Sequence, residues 1–285
     1  MGNEVLVSVV MPVYNGMPLI KQSVDSLLRQ TYKNWECIII NDGSTDETKA
    51  YIESLNDSRF RVYSFEKNLG RPYARQKGLD MARGKYLAML DADDIYHPNK
   101  LEKQVDLLEK NITVSLVSSA MCLYGTKTKH VRAIGKGAGE IVKFDAAYNI
   151  PVCHASSMLR TEEAKQYKYD VNLKIGEDVD FLKKYLKGKK YIKQRDILYY
   201  YSMFDSVDKT KIINTLKIYI HKFKVEGRLK EYIILISKLF IYRFLFLFFS
   251  SETILSVKSE SMSSHDLLDY NKYCLPYIIS ISKQK

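Results

Sequence analysis

The chain has 285 residues, 46% of them hydrophobic, so it can bury a real core as one sizeable α/β domain with an appendage or as two small domains. Its net charge of +11 calls for an anionic partner (nucleic acid, an anionic membrane or a phosphorylated substrate) or else is a Lys-rich solvated surface. The four cysteines, Cys37, Cys122, Cys153 and Cys274, form no C-x-x-C pair and none has a His at zinc-ligand spacing, which argues against a zinc-finger framework and for free thiols in a reducing compartment. Residues 1–10 show no basic segment leading into a long apolar one, so a cytoplasmic location is expected.

Residues 5–11 are nearly all apolar, as a strand buried on both faces requires, and Pro12 is expected to end it. Pro18 suits a helix first turn, and Ile20, Val24, Leu27 and Leu28 follow at helical spacing. Residues 37–40 read as a second buried strand running into a turn at 41–46, where Ser44 and Glu47 have capping-box spacing. A strand over 60–65, a helix over 71–81 and a strand over 86–90 come next. Pro98 opens another helix with Leu101, Val105 and Leu108 on one face, and 114–118 is a further strand. Gly135, Gly137 and Gly139 mark a loop; Glu177 and Asp178 open a helix continued by Val179, Leu182 and Leu186; 197–201 reads as a strand. This alternation predicts an α/β fold, a mostly parallel sheet flanked by helices. In such sheets ligands bind beyond the carboxyl ends of the strands, where Tyr14-Asn15, Asp42 and 91–94 all fall, so one site built by three loops is expected.

The sharpest signal is Asp91-Ala92-Asp93-Asp94 behind an apolar strand. Carboxylates crowded at a strand end repel each other unless a cation neutralises them, and oxygen ligands suit Mg²⁺ or Mn²⁺, which could bridge to a diphosphate leaving group. The competing reading is a solvated acidic turn. Asp42 in Asn41-Asp42-Gly43-Ser44 could accept hydrogen bonds from a base or ribose, or could simply belong to a turn. Asn68-Leu69-Gly70-Arg71, with Arg75 one turn later, offers amides and guanidiniums to phosphate at a helix start. Gly176-Glu177-Asp178 could supply a general base, or acids that merely favour a helix N-terminus. His154, Ser156 and Ser157 lack the G-x-S-x-G of a nucleophile elbow, and Tyr199, Tyr200 and Tyr201 are either sugar-stacking rings or an alternating strand with one face in the core.

Taken together, 9–15 (Val-Val-Met-Pro-Val-Tyr-Asn), 41–46 (Asn-Asp-Gly-Ser-Thr-Asp), Asn68-Leu69-Gly70 with Ala74-Arg75, Gly84-Lys85-Tyr86 leading into Asp91-Ala92-Asp93-Asp94, and finally Glu177-Asp178 resemble the family 2 glycosyltransferases of GT-A fold, over roughly residues 5–205. The resemblance implies an inverting, bacterial polysaccharide-type enzyme. It implies a donor pocket of Pro12, Tyr14, Asn15, Asp42, Arg71, Arg75, Asp91 and Ala92, and a metal (Mn²⁺ or Mg²⁺) on Asp93 and Asp91. It also implies Asp178 as the base, with Glu177 its neighbour. Relatives often carry a basic residue after the last strand; here 200–205 has neither Arg nor His, which bears on the closing contact and not on the donor site.

From about Lys209 the composition turns basic, and 232–249 is apolar and nearly long enough to span a bilayer. Lys238 and Arg243 within it favour a helix lying in the membrane surface over one crossing it, the competing reading being an oligomer or packing interface. The expected organisation is a catalytic domain over 1–208, with donor half 1–118 and acceptor half 119–208, and a C-terminal helical extension over 209–285. The expected partners are a nucleotide sugar, foremost a UDP-sugar, a glycan or lipid-linked glycan acceptor and the inner face of the cell membrane, with a second copy of the chain as a further candidate. Two rivals make different demands: a nucleotidyltransferase needs a Gly- and Lys/Arg-rich phosphate loop, which 12–16 lacks, and a nucleic-acid-binding protein does not explain the acid-lined strand ends.

Overall fold

The computed structural model describes residues 5–124, 131–145, 150–173, 175–202, 229–248 and 262–276, with isolated positions between 213 and 227. A ten-stranded sheet runs through it in the order β3-β2-β1-β4-β9-β6-β10-β5, with β7 on β6 and β8 on β10. The strands are β1 (Val7–Val13), β2 (Trp35–Asn41), β3 (Phe60–Ser64), β4 (Tyr86–Met89), β5 (Ile95–Tyr96), β6 (Val114–Tyr124), β7 (Arg132–Ile134), β8 (Ile141–Lys143), β9 (Ser157–Arg160) and β10 (Lys190–Ser202). The helices are α1 (Ile20–Leu28), α2 (Thr48–Glu53), α3 (Arg71–Met81), α4 (Lys100–Lys110), α5 (Thr161–Ala164), α6 (Glu177–Leu186), α7 (Leu229–Phe248) and α8 (Ser264–Tyr273).

β3, β2, β1 and β4 pair in parallel, as the strand–helix alternation requires. Antiparallel pairing enters with β9, which is wedged between β4 and β6. Alternate residues of β1 serve two cores: Val7, Val9 and Met11 meet Ile20, Val24, Leu101 and Leu108 on one face, and Val10 meets Ala74, Leu79 and Leu87 on the other. Both faces are dry, which is why the strand sequences run apolar without alternation. At Gly78 a Cβ would lie 2.2 Å from a Val10 methyl, so α3 rests directly on β1 and carries its first turns to the strand ends.

Three expectations are corrected. Pro12 does not end β1, which continues to Val13. Val10 C=O accepts a hydrogen bond on the β4 side, so Pro12, two residues on, faces that side too, where β4 has stopped pairing and no ladder donor is missed. Ser44 and Glu47 form no capping box: α2 begins at Thr48, whose N–H is received by Asp46 Oδ1 at 3.0 Å, while Ser44 Oγ accepts the Asn15 N–H. Tyr199 and Tyr200 are both fully buried, not split between core and cleft, because α8 covers the second face. There Tyr270 and Cys274 pack with Ile95, Cys122 and Tyr200, and Lys136 pairs with Asp266 at 3.0 Å. The four cysteines are free.

Candidate active site

The loops after β1 and β2 are stitched together. Asn15 takes a left-handed φ of +50°, which Asn tolerates, and its Oδ1 accepts the Thr45 N–H at 2.8 Å. Gly43 is also left-handed at +69°, and a Cβ there would lie 2.4 Å from the Lys67 carbonyl carbon, so the loop before α3 crosses directly over it. Asp42 fixes that crossing: its two carboxylate oxygens accept the N–H groups of Leu69 at 2.7 Å and Gly70 at 2.9 Å. A carboxylate has about four lone-pair positions, so capacity for a ribose or base remains. Pro12 is buried beneath this platform, and the Tyr14 side chain stands out at its rim, 49% exposed. Arg71 is exposed in the first turn of α3, and Ala92 is buried in the core beneath the acidic turn.

Arg75 joins the two halves of the chain. Its side chain is 3% exposed, and its terminal nitrogens bind Glu177 Oε1 at 2.7 Å and Asp91 Oδ1 at 3.2 Å. The end of β4 and the start of α6 thereby become one charge cluster. Burial opposes the guanidinium's charge, but Asp91, Asp178 and Glu177 together hold it firmly protonated. Burial raises the Glu177 carboxyl above its ordinary range despite Arg75, with Asp178 adding to the rise.

Asp178 opens the first turn of α6, where its Oδ1 accepts the Val179 N–H at 2.9 Å. Burial disfavours its charge, but Arg75, His154 and backbone donors outweigh burial and hold its carboxyl below the usual carboxylate range. His154 is charged only in the acid range where Asp178 itself titrates, because burial and then Arg75 lower its imidazole to about 4. Its Nε2 lies 2.8 Å from the Tyr169 hydroxyl, and Tyr169 stacks on Phe181 of α6 at 4.2 Å, so an aromatic wedge props the helix that carries the acid pair.

In the acidic turn, Asp91 is 22% exposed and Asp93 half-buried, whereas Asp94 is fully buried. Burial, then the charges of Asp93 and Asp91, push the Asp94 carboxyl well above its ordinary range. Among the described residues no three His, Cys, Asp or Glu side chains converge as a metal cage. Hard carboxylate oxygens on Asp91 and Asp93 nonetheless fit a divalent ion of the kind bound by one or two carboxylates and completed by substrate phosphates. Asp94, committed to protein donors, is the acid that the sequence motif leaves without a role; its partner Tyr199 stands 105 positions away, and no local pattern announces the pair.

The sequence profile described as "Glycosyl transferase family 2" matches residues 8–167. The Escherichia coli UDP-Glc:alpha-D-GlcNAc-diphosphoundecaprenol beta-1,3-glucosyltransferase WfgD is 40% identical over 109 residues, 38% of this chain and 43% of WfgD. The chain spans less than half the length of this and other curated relatives that it matches strongly. Among solved structures, S. aureus TarS 1-349 in complex with UDP-GlcNAc superposes with a TM-score of 0.61 at 20% identity, over 76% of this chain and 66% of that one. The mannosyltransferase PcManGT of Pyrobaculum calidifontis, in complex with GDP-Man and Mn²⁺, gives 0.59 at 17% identity, over 82% and 69%. At these identities the structures speak to the fold alone, and with the profile covering more than half of the sequence, the chain belongs to glycosyl transferase family 2 and has the GT-A fold.

Proposed function

We propose that this protein transfers a sugar from a nucleotide-diphosphate donor, foremost a UDP-sugar, to a glycan or lipid-linked glycan acceptor in surface polysaccharide synthesis, with inversion at the anomeric carbon. The carrying observation is the single cluster that Arg75 makes of Asp91, Glu177 and the neighbouring Asp178, beside the β1 and β2 loops of a family 2 chain. The names of WfgD and of the TarS complex support a UDP-linked donor, and that of WfgD a lipid-linked acceptor. The donor's nucleoside would lie on the platform of Pro12, Tyr14, Asn15 and Asp42, with Arg71 near the phosphates and Asp91 and Ala92 below. Asp178 would take the proton of an acceptor hydroxyl as its oxygen bonds to the anomeric carbon, and the bond to the diphosphate would break with its electron pair leaving on the nucleotide. Asp93 and Asp91 would hold Mn²⁺ or Mg²⁺, which when bound offsets the charge gathering on that leaving diphosphate. The assignment is tested by calorimetric binding of UDP with Mn²⁺: Asp93→Ala and EDTA are each expected to weaken it by about tenfold or more, since ligand loss in such sites removes affinity directly. Unchanged affinity in both would rule out the metal role.

The acceptor reading extends to a membrane surface, peripherally at its cytoplasmic face. Among the described residues no helix is long and apolar enough to cross a bilayer. α7 exposes Ile233, Phe240, Ile241 and Phe244, the two Phe side chains at 68% and 62%, together with Lys230, Lys238 and Arg243. Apolar and cationic groups exposed together on one helix suit in-plane binding to anionic lipid. Burying one Phe is worth about 1.5–3 kcal/mol, so Phe240→Glu with Phe244→Glu should lower binding to anionic vesicles by at least about tenfold in flotation. A full chain that does not float with such vesicles would overturn this part of the reading.

A further inference from the structure

Within the Asp91–Asp94 turn the Asp94 N–H donates to the Asp91 carbonyl at 3.1 Å. Side chains from other elements hold several of the turn's other polar groups. Gln22 Nε2 and the Tyr124 hydroxyl each donate to the Asp93 carbonyl at 3.3 Å, and Ser23 Oγ donates to the Asp94 carbonyl at 2.7 Å. One side chain grips both ends of the turn: the Tyr199 hydroxyl donates to Asp94 Oδ2 at 2.5 Å, and its oxygen accepts the Asp91 N–H at 3.3 Å. A phenol has a single proton, and that proton is committed to Asp94, so the order of the chain is fixed: Asp91 N–H to Tyr199 O–H to Asp94. The other carboxyl oxygen, Asp94 Oδ1, accepts the Ser202 N–H at 2.8 Å, which ties the turn to the last residue of β10. Tyr199 cannot swing away. It is fully buried, pairs in register with Tyr96 and Met121 on its two neighbouring strands, and meets the Tyr96 ring edge-on at 5.6 Å.

We propose that Tyr199, acting with Asp94, is a positioning residue that aims Asp91 and Asp93 at the donor's diphosphate and its cation. This rests on the functional reading above. Neither residue touches substrate; Tyr199 sets the direction of the backbone from which the two working carboxylates project. Supporting groups of this kind typically change metal affinity by about 10–100-fold when removed. Tyr199→Phe deletes only the hydroxyl, keeps the ring packing, and leaves the Asp91 N–H and Asp94 Oδ2 without their partner. Tyr200→Phe is the matched control, because the Tyr200 hydroxyl is buried with no hydrogen-bond partner among the described residues.

The experiment measures binding of UDP with Mn²⁺ to the full chain by calorimetry, at a temperature where thermal melts show each variant folded. Tyr199→Phe is expected to raise Kd by about 10–100-fold and Tyr200→Phe to leave it unchanged. The double variant Tyr199→Phe/Asp94→Asn should bind little worse than either single, as linked groups do. A merely structural role would lower the melting temperature without moving Kd in the folded protein. Tyr199→Phe binding like the wild type, while Asp93→Ala loses binding, would overturn the positioning role and leave the functional reading standing. Binding indifferent to Asp93→Ala as well would remove that reading and this inference with it.

Discussion

Asp178→Asn is expected to lower kcat by about two to four orders of magnitude, the usual worth of a positioned general base, while donor affinity stays within about twofold. The exchange keeps size and shape and removes the basic lone pair. The pocket around Asp178 makes a consistent case for an ionised carboxylate. Burial disfavours its charge, but Arg75, His154 and the backbone donors outweigh burial. A carboxyl held below its usual range stays ionised until the medium is more acidic than an ordinary Asp requires, so the acid limb of the kcat profile should lie at lower pH than an ordinary Asp would set. The depressed pKa has a chemical consequence as well. It makes Asp178 a weak base, suited to receiving the acceptor proton late, as bond making to the anomeric carbon acidifies the hydroxyl. Glu177→Gln should cost less, because Glu177 faces Arg75. Product configuration read by NMR should be inverted; retention, or near-normal turnover by Asp178→Asn, would refute the base assignment.

How far the sequence carried follows from the range of the interactions. The parallel half was legible because strands buried on both faces need nearly continuous apolar runs, and β1, β2 and β4 have them. Polar residues at their carboxyl ends located the site loops for the same reason. β9 escaped because it is four residues long, with Ser157 and Arg160 at its ends and no periodicity to read. The extent of β1 past Pro12 depended on where β4 stops, at Met89, far along the chain and outside any window around Pro12. Ser44 and Glu47 had the letters of a capping box, but the Asn15 N–H reached Ser44 first. Side-chain roles were hardest. Arg75 reads as a phosphate contact from its place in α3, yet Glu177, 102 positions on, and Asp91 occupy its two terminal nitrogens.

Arg75→Met is the most disruptive substitution we expect in the site. It leaves Glu177 and Asp91 without their common partner, and Glu177, 3% exposed, cannot turn to water. Breaking a buried pair from one side costs about 3–5 kcal/mol, because an uncompensated charge remains inside. A thermal melt should show a loss on the order of 10 °C for a domain of this size. The deficit should depend on pH in a stated direction. In the wild-type fold the Glu177 carboxyl is already raised above its unfolded value, and removing Arg75 raises it further. The folded state then binds the proton more tightly than the unfolded one, so stability is fully present below the unfolded pKa and falls as pH rises through the folded one. The variant should therefore lie closer to the wild type near pH 5 than near pH 8. Arg75→Lys should recover only part of the loss, since an ammonium is a point charge and cannot span two carboxylates as the guanidinium fork does. Were Arg75 instead a surface contact to the nucleotide, Arg75→Met would weaken donor binding, leave the melting temperature within about 2 °C, and show no pH dependence in that difference.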